Sequence, residues 1–337
     1  MNKRILSLAV VWAGLGIIGC GAGTGYIVKP IPADETVKET VIASDGGWFL
    51  SDKIAVIDLE GMLLNQRDWS VFSAHENPVS LFEEKFDRAQ TDPDVKAVVL
   101  RINSPGGGVT ASEILHKRVL DFRAARKGVP VIAVIEDIGA SGAYYTACGA
   151  DTICAHPTSI VGSIGVLVQT VSLSGTMKML GIDAKAVVSG PMKTMGSPFK
   201  PLEDKDLAVL QGMVDEYFQG FVDAVAKGRP KLTREEVLKL ADGRVYTGLQ
   251  AKANGLVDEI KTVPEAVGLA KQRAGLSRAK VVMYSRPWGY RATFYSQASQ
   301  EQQPAANPQV NLINLNAANL WSVLQPQFMY LWTGRGN

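Results

Sequence analysis

The sequence predicts an α/β fold, in which a largely parallel sheet carries helices on its faces. Strand-like apolar runs alternate with helical runs along the chain, and the 337 residues are 46% hydrophobic, enough for a sizeable buried core. The strand-like runs are 54–59, 95–102, 129–136, 152–155, 163–168, 184–188 and 255–260. The helical runs include 81–90, 112–126, 141–149, a segment through 177, and 203–226.

The amino terminus carries a membrane signal. Lys3 and Arg4 precede an uncharged apolar stretch, residues 5–28, which is long enough to cross a bilayer as a helix with its basic flank in the cytoplasm. A cleavable signal peptide and a lipoprotein signal modified at Cys20 are the alternatives. Each of the three places the rest of the chain on the extracytoplasmic side of the plasma membrane, and the first makes the protein single-pass.

Four regions follow from this pattern: an anchor or signal peptide at 1–28, a polar linker at 29–52, a folded domain at 53–283 and a tail at 284–337. In the long segment 203–226, apolar residues recur at helical spacing, which predicts a helix that faces the core. Thr233 and Glu236 have the spacing of a capping box and predict the start of another helix. The tail is rich in Gln, Asn, Ala and Pro and ends in an apolar, aromatic run, 320–332, which we expect to dock on a groove or on a neighbouring subunit.

Charge and cysteine content exclude several classes of function. The formal net charge of +2 does not indicate a basic surface that would bind nucleic acid. The three cysteines fit neither a disulfide scaffold nor a zinc site. We expect Cys148 and Cys154 to be small buried side chains. No metal or other cofactor is implied.

A glycine-rich stretch, Asn103–Gly108, follows one predicted strand and precedes a helix. Pro and three glycines let backbone N–H groups approach a ligand closely, as an oxyanion hole requires, although an ordinary strand-to-helix turn has the same composition. In either case we expect a turn. No Lys-Ser or Lys-Thr pair follows, so the stretch is not a phosphate loop.

Ser141 lies in the small-residue sequence GASGA, again between a strand and a short helix. Its hydroxyl is expected at the carboxyl end of the sheet, where open α/β folds bind ligands. The N–H of Gly142, at the start of the helix, would then point toward a developing oxyanion. The alternative is that Ser141 only caps the helix.

A serine nucleophile needs a base, and none of the three histidines, His75, His116 and His156, is well placed in the sequence. A Ser-His-Asp triad stays open but has little support. Lys193 is the best candidate because methionines rather than charges flank it, and an apolar setting lowers the pKa of a lysine. The alternative is an ordinary solvated lysine.

Four ordered motifs together resemble signal peptide peptidases of the SppA type, in their short, single-repeat form. They are INSPGGGV (102–109), IGASGAYYTACGAD (138–151), SIVGSIGV (159–166) and SGPMKTMGSP (189–198). The resemblance covers about 53–282. It implies a crotonase-like or Clp-protease-like spiral and a serine endopeptidase that cleaves remnant signal peptides and other extended hydrophobic peptides.

The resemblance also implies roles for individual residues. Ser141 attacks the scissile carbonyl, Lys193 is the base of a Ser-Lys dyad, and Ser163 orients the lysine amine. The N–H groups of Gly107 and Gly142 form the oxyanion hole. Short members assemble as octamers in which adjacent subunits can share one site, so a homo-oligomer at the membrane is expected.

Three other interpretations compete with this one. A crotonase would use the same backbone N–H groups on an enolate, but it would not need Ser141 or an apolar amino terminus. A Clp-type protease would need a histidine at a matching distance after Ser141, and the chain has none. An inactive scaffold would not need both Ser141 and Lys193.

Overall fold

A computed structural model describes residues 36–47, 50–65, 68–70, 73–75, 77–286 and 326–334. Its strands are β1 (Lys38–Ser44), β2 (Lys53–Leu63), β3 (Asp68–Ser70), β4 (Ser73–His75), β5 (Val95–Gly108), β6 (Val131–Ala140), β7 (Thr152–Ala155), β8 (Ile160–Gly162), β9 (Leu167–Gln169), β10 (Val245–Thr247), β11 (Glu259–Ile260), β12 (Lys280–Ser285) and β13 (Gln327–Leu331). Its helices are α1 (Pro78–Thr91), α2 (Val109–Ala125), α3 (Gly142–Ala147), α4 (Ser174–Met179), α5 (Asp204–Gly228), α6 (Arg234–Leu240), α7 (Gly248–Ala253) and α8 (Val263–Arg273).

Eleven of these strands form one mixed sheet, whose main path runs β1-β12-β2-β5-β6-β7-β11. From β12 to β11 each neighbouring pair is parallel, while β1 at the edge is antiparallel to β12. The predicted α/β class with a largely parallel sheet is therefore confirmed. β8 pairs in parallel with the end of β6, and β13 pairs antiparallel with both β5 and β9.

The core has two apolar layers, one on each face of the sheet. Strand β5 shows why, since Val98 and Leu100 face one layer while Ala97 and Val99 face the other. A strand that is buried on both faces carries a continuous apolar run instead of an alternating one. Helices α1, α2, α3 and α5 cover the first face, and α8 covers the second.

Local sequence signals set the helix starts as expected. The Thr233 side chain accepts from the Glu236 N–H at 3.2 Å and the Glu236 carboxylate accepts from the Thr233 N–H at 2.8 Å, so the predicted capping box is confirmed at α6. The long amphipathic segment is α5, which buries Leu210, Phe221 and Val225. Cys148 and Cys154 are buried and unpaired, as predicted, and burial raises the pKa of each thiol to about 12.

Several predicted elements differ in the structure. The strand predicted at 184–188 is absent, because that segment lies outside the sheet and Val187 is fully exposed. The predicted strand 163–168 is interrupted, with β8 ending at Gly162 and β9 starting at Leu167. The sheet also takes in β1, which lies inside the stretch predicted as a linker, and β13 near the end of the predicted tail.

Glu84 on α1 joins the points where the chain enters and leaves the sheet. Its carboxylate accepts from the Val37 N–H at 2.8 Å, just before β1, and pairs with the Arg286 guanidinium at 2.8 Å, just after β12. The ladder between these strands starts at the Lys38–Ser285 pair. Entry and exit therefore lie side by side.

A charged cluster joins strands β2, β5 and β6. Arg101 on β5 donates from Nε to Asp58 on β2 at 2.8 Å, and it lies 3.4 Å from Glu60 and 3.7 Å from Glu136. Burial, and then the charge of Asp58, raise the pKa of Glu60 to about 7. Burial also raises the pKa of Glu136.

No helix among residues 36–286 and 326–334, as far as the structure describes them, is long and apolar enough to cross a bilayer. The anchor predicted at 1–28, with Cys20, lies outside the described residues.

Candidate active site

Ser141 occupies a sharp connection between β6 and α3. Its backbone has φ 54° and ψ −119°, a conformation that L-residues other than glycine rarely adopt. Two hydrogen bonds hold it there: the Ser141 N–H donates to the Gly162 carbonyl at 2.7 Å, and the Ser141 carbonyl accepts from the Tyr145 N–H at 2.9 Å. The surrounding structure therefore imposes the strain.

The Ser141 hydroxyl makes no capping bond to α3, so the interpretation of Ser141 as a simple helix cap is wrong. The residue is 1% exposed, and Oγ has no hydrogen-bond partner among the residues that the structure describes. Buried hydroxyls normally form hydrogen bonds. One that forms none is available to react with a bound group.

Ser163 lies beside Ser141 in the sheet. Ala140 of β6 and Gly162 of β8 are register partners, so the two serines follow paired residues at the carboxyl ends of neighbouring parallel strands. Ser163 has φ 50°, and its N–H donates to the Arg244 carbonyl at 2.8 Å. Within the described part of the chain, these two serines are the only residues besides glycine with positive φ. Clustered backbone strain of this kind is typical of functional sites.

The glycine-rich stretch is not the turn that its composition predicts. It continues β5 to Gly108, because β2 pairs with it on one side and β13 on the other. A Cβ on Gly107 would lie 2.1 Å from the Leu63 carbonyl oxygen, so only glycine fits there.

Gly106 brings this strand against the start of α3. With φ 98° it turns toward Gly142, whose amide nitrogen lies 2.7 Å from the position that a Cβ on Gly106 would take. Gly142 is equally confined, since its own Cβ would lie 2.2 Å from Ser112 Oγ. The structure therefore brings the predicted oxyanion-hole segments, at Gly107 and Gly142, to the same place as Ser141.

Lys193 lies on the surface of the chain. It is exposed in a run of turns after the absent strand, its N–H donates to the Gly190 carbonyl at 3.0 Å, and no hydrogen bond links its amine to Ser141 or Ser163 in the described residues. The surrounding segment exposes large apolar side chains that a folded chain normally covers. They are Met179, Leu180, Ile182, Val187, Val188 and Phe199.

None of the histidines that the structure describes is placed to act as the base for Ser141 in place of Lys193. His116, expected to face solvent, is instead partly buried with its ring edge against Tyr145 at 4.9 Å, and burial lowers its pKa. His156 follows β7, and its N–H donates to Ser159 Oγ at 2.9 Å. Neither bonds to Ser141. The side chain of His75 lies outside the described residues.

Sequence reasoning missed two residues at this site. Ser112 on α2 donates to the Gly108 carbonyl at 2.9 Å and so fixes the end of the glycine-rich strand against Gly142. Nothing in its local sequence indicates this contact. Tyr330 on β13 covers the same strand. The sequence predicts that its aromatic run docks on a groove or a neighbouring subunit, but it does not indicate that the docking place is this strand beside Ser141.

Comparison with known proteins fits this geometry. The model of Peptidase family S49 matches residues 123–277. The chain is similar to "Putative protease MJ0651" of Methanocaldococcus jannaschii, with 39% identity over 220 residues, 65% of this chain and 69% of that protein. It is also similar to "Putative signal peptide peptidase SppA" of Enterococcus faecium, with 34% identity over 233 residues, 69% of this chain and 67% of that protein.

A longer relative matches over a smaller share of its length. Protease 4 of Salmonella typhi is 36% identical over 190 residues, which cover 56% of this chain and 30% of that protein. The chain thus belongs to peptidase family S49 and is a serine peptidase of the SppA type.

Proposed function

We propose that this peptidase is a membrane-associated endopeptidase that cleaves remnant signal peptides and other extended hydrophobic peptides with a Ser-Lys dyad. One observation carries the proposal. Ser141 is held in a strained conformation, with an unbonded hydroxyl, beside the closely packed glycine backbone of Gly106 and Gly142. Strain that neighbouring hydrogen bonds impose at a single serine is expected of a nucleophile.

In the proposed mechanism, Ser141 Oγ attacks the scissile carbonyl carbon while Lys193 Nζ takes the hydroxyl proton. The N–H groups of Gly107 and Gly142 stabilise the oxyanion, and Lys193 returns the proton to the leaving amine. Water, activated by the same lysine, then hydrolyses the acyl-enzyme. Ser163, one strand away from Ser141, is suitably located to orient the lysine amine.

We propose that Lys193 reaches Ser141 of a neighbouring subunit. This arrangement accounts for a base that is exposed in its own chain and for the apolar side chains around it, which a second copy would cover. An octamer is the size that the resemblance implies.

The remaining features of the proposal come from the sequence and the family. They are a spiral of the crotonase-like or Clp-protease-like kind, an anchor or signal within 1–28, and a catalytic domain outside the cytoplasm at the plasma membrane. The excess of apolar residues at 5–28 after Lys3 and Arg4 supports the anchor.

Mixing two inactive variants tests the shared site. Ser141→Ala and Lys193→Ala should each abolish cleavage of a hydrophobic peptide, because each removes one half of the dyad. Co-assembled in equal amounts, they should recover about one quarter of wild-type activity, since that share of head-to-tail interfaces pairs an intact serine with an intact lysine.

Lys185→Ala is the matched control, because Lys185 is an exposed lysine of the same segment that pairs with the exposed Asp183. It should keep full activity. Activity that persists in either single variant would remove the dyad. Inactive single variants that assemble but give no recovery on mixing would place serine and lysine in one subunit.

A further inference from the structure

Strand β10 holds the backbone of both strained serines. It pairs antiparallel with all three residues of β8. Just before β10, the Arg244 carbonyl accepts from the Ser163 N–H at 2.8 Å. On β8, the Gly162 carbonyl accepts from the Ser141 N–H at 2.7 Å. Ser163 is therefore bonded to the β10 segment itself, and Ser141 is bonded to the strand that β10 pairs with.

Tyr246 is the side chain of β10 that contacts this backbone. Gly162 has φ 100°, and a Cβ at that position would lie 2.9 Å from Tyr246 Cδ2 and 3.4 Å from Cε2. The edge of the ring thus packs directly on the Gly162 backbone. In a close-packed region a peptide group cannot rotate without moving its neighbours, so the ring fixes the direction of the carbonyl to which Ser141 is bonded.

Other contacts in turn fix the Tyr246 ring. Its hydroxyl donates to the Leu240 carbonyl at 3.1 Å, at the carboxyl end of α6. The next residue, Thr247, caps the start of α7. Gly248 then passes so close to the β7–β8 connection that a Cβ there would overlap the His156 carbonyl. Tyr246 therefore has a defined position relative to α6, α7 and β8.

We infer that Tyr246 is a positioning residue for the reaction, which acts on Ser141 through Gly162 and on Ser163 through the adjoining Arg244. Within the described residues it forms no hydrogen bond with either serine, and its hydroxyl is bonded to α6 instead. By fixing Gly162 it keeps Ser141 in a conformation that serine does not favour, with Oγ free for attack. The inference rests on the proposed function for the roles of the two serines.

Steady-state cleavage of a hydrophobic peptide by Tyr246→Ala tests this role. Removal of the ring lets the Gly162 peptide group relax, and a small displacement of a nucleophile is costly, so kcat should fall about tenfold or more. KM should change less than about twofold, because the ring does not hold substrate. Tyr246→Phe keeps the ring contact and should keep at least about one third of the wild-type kcat.

Leu232→Ala is the matched control for a merely structural effect. Leu232 is also partly buried against the same core layer, and it also packs on a glycine with positive φ, since a Cβ on Gly255 would lie 3.0 Å from Leu232 Cδ2. The carbonyl of Gly255, however, accepts from Arg229 at 2.9 Å and not from a serine of the site. Leu232→Ala should lower the Tm as Tyr246→Ala does, but it should leave kcat within about twofold of wild type.

Amide hydrogen exchange measures the position of Ser141 without catalysis. Residue-resolved mass spectrometry gives the exchange rate at Ser141 relative to that at Val134, a buried amide of the same strand, so that changes in global stability cancel. This ratio should rise about tenfold in Tyr246→Ala and stay unchanged in Leu232→Ala. A wild type without peptidase activity would contradict the proposed function, and the exchange ratio alone would then decide the role of Tyr246.

If Tyr246→Ala lowers the folded fraction by circular dichroism, Tyr246→Leu replaces it, with an expected fall in kcat of about fivefold. A kcat within about twofold of wild type, a loss that appears in KM instead of kcat, or an equal loss of kcat in Leu232→Ala would overturn the inference. An unchanged exchange ratio at Ser141 would overturn it as well.

Discussion

Gly142→Ala should destabilise the protein strongly, because this position has no space for a methyl group. The new Cβ would lie 2.2 Å from Ser112 Oγ and 3.1 Å from Ser112 Cβ. Ser112 is not free to move away, since its hydroxyl donates to the Gly108 carbonyl at 2.9 Å. Overpacking costs about 1–3 kcal/mol and a lost hydrogen bond about 1 kcal/mol, so the free energy of unfolding should fall by about 2–4 kcal/mol.

Ser112→Ala tests the cause of that loss. It removes the oxygen at 2.2 Å and leaves the carbon at 3.1 Å, so the double variant should be about 1–2 kcal/mol less destabilised than the sum of the two single variants. Urea unfolding of the wild type, the two single variants and the double variant measures the coupling free energy between positions 112 and 142.

Gly212→Ala serves as the control, because a Cβ there meets nothing within 4 Å. On helix α5 it should stabilise by about 0.5–1 kcal/mol. Strictly additive losses at 112 and 142, or a Gly142→Ala variant as mild as Gly212→Ala, would refute the steric argument.

Two further predictions concern stability. Ser141→Gly should be about 1 kcal/mol more stable than Ser141→Ala in urea unfolding, because only glycine adopts φ 54° without strain, and equal stabilities would contradict the strain. Glu60, whose folded pKa of about 7 lies above its unfolded value, binds its proton more tightly when folded, so its contribution to stability is lost as pH rises from about 4.5 to about 7. Glu60→Gln should remove up to about 3 kcal/mol of that loss, measured as the difference between the free energies of unfolding at pH 5 and pH 8. If the variant and the wild type show the same dependence of unfolding free energy on pH, the Glu60 carboxyl does not titrate in this window.

Local patterns in the sequence predict much of the fold. Valine and leucine runs such as Val98–Leu100 indicate strands that are buried on both faces, and the Thr233–Glu236 pair indicates a helix start. Both signals act within a few residues of the chain. The small-residue context of Ser141 likewise predicts a tight connection at the carboxyl end of a strand.

Long-range contacts could not be predicted in this way. The glycine-rich stretch reads as a turn because its own composition favours one, but β2 and β13 pair with it and keep it extended. The partner strand β13 comes more than 200 residues later in the chain. Position 187 shows the reverse case. The β-branched residues Val187 and Val188 predict a strand, yet no strand within the described residues pairs with this segment.

The positive φ of Ser141 and Ser163 could not be predicted from the sequence either. Serine does not favour this conformation, and it is imposed by acceptors from other segments, the carbonyls of Gly162 and Arg244. Lys193 is a different case. If a second subunit delivers the base, as we propose, the contacts of one chain contain no trace of that arrangement.

The Glu84 contacts determine how this domain would respond to mechanical load. A pull applied at the entry and exit of the sheet would first break the bonds of Glu84 to Val37 and Arg286. It would then open the β1–β12 ladder one pair at a time from Lys38–Ser285, as a zipper opens, instead of shearing all pairs together. Edge strand β1 would thus yield at low force, while the parallel strands that hold Ser141 stay intact.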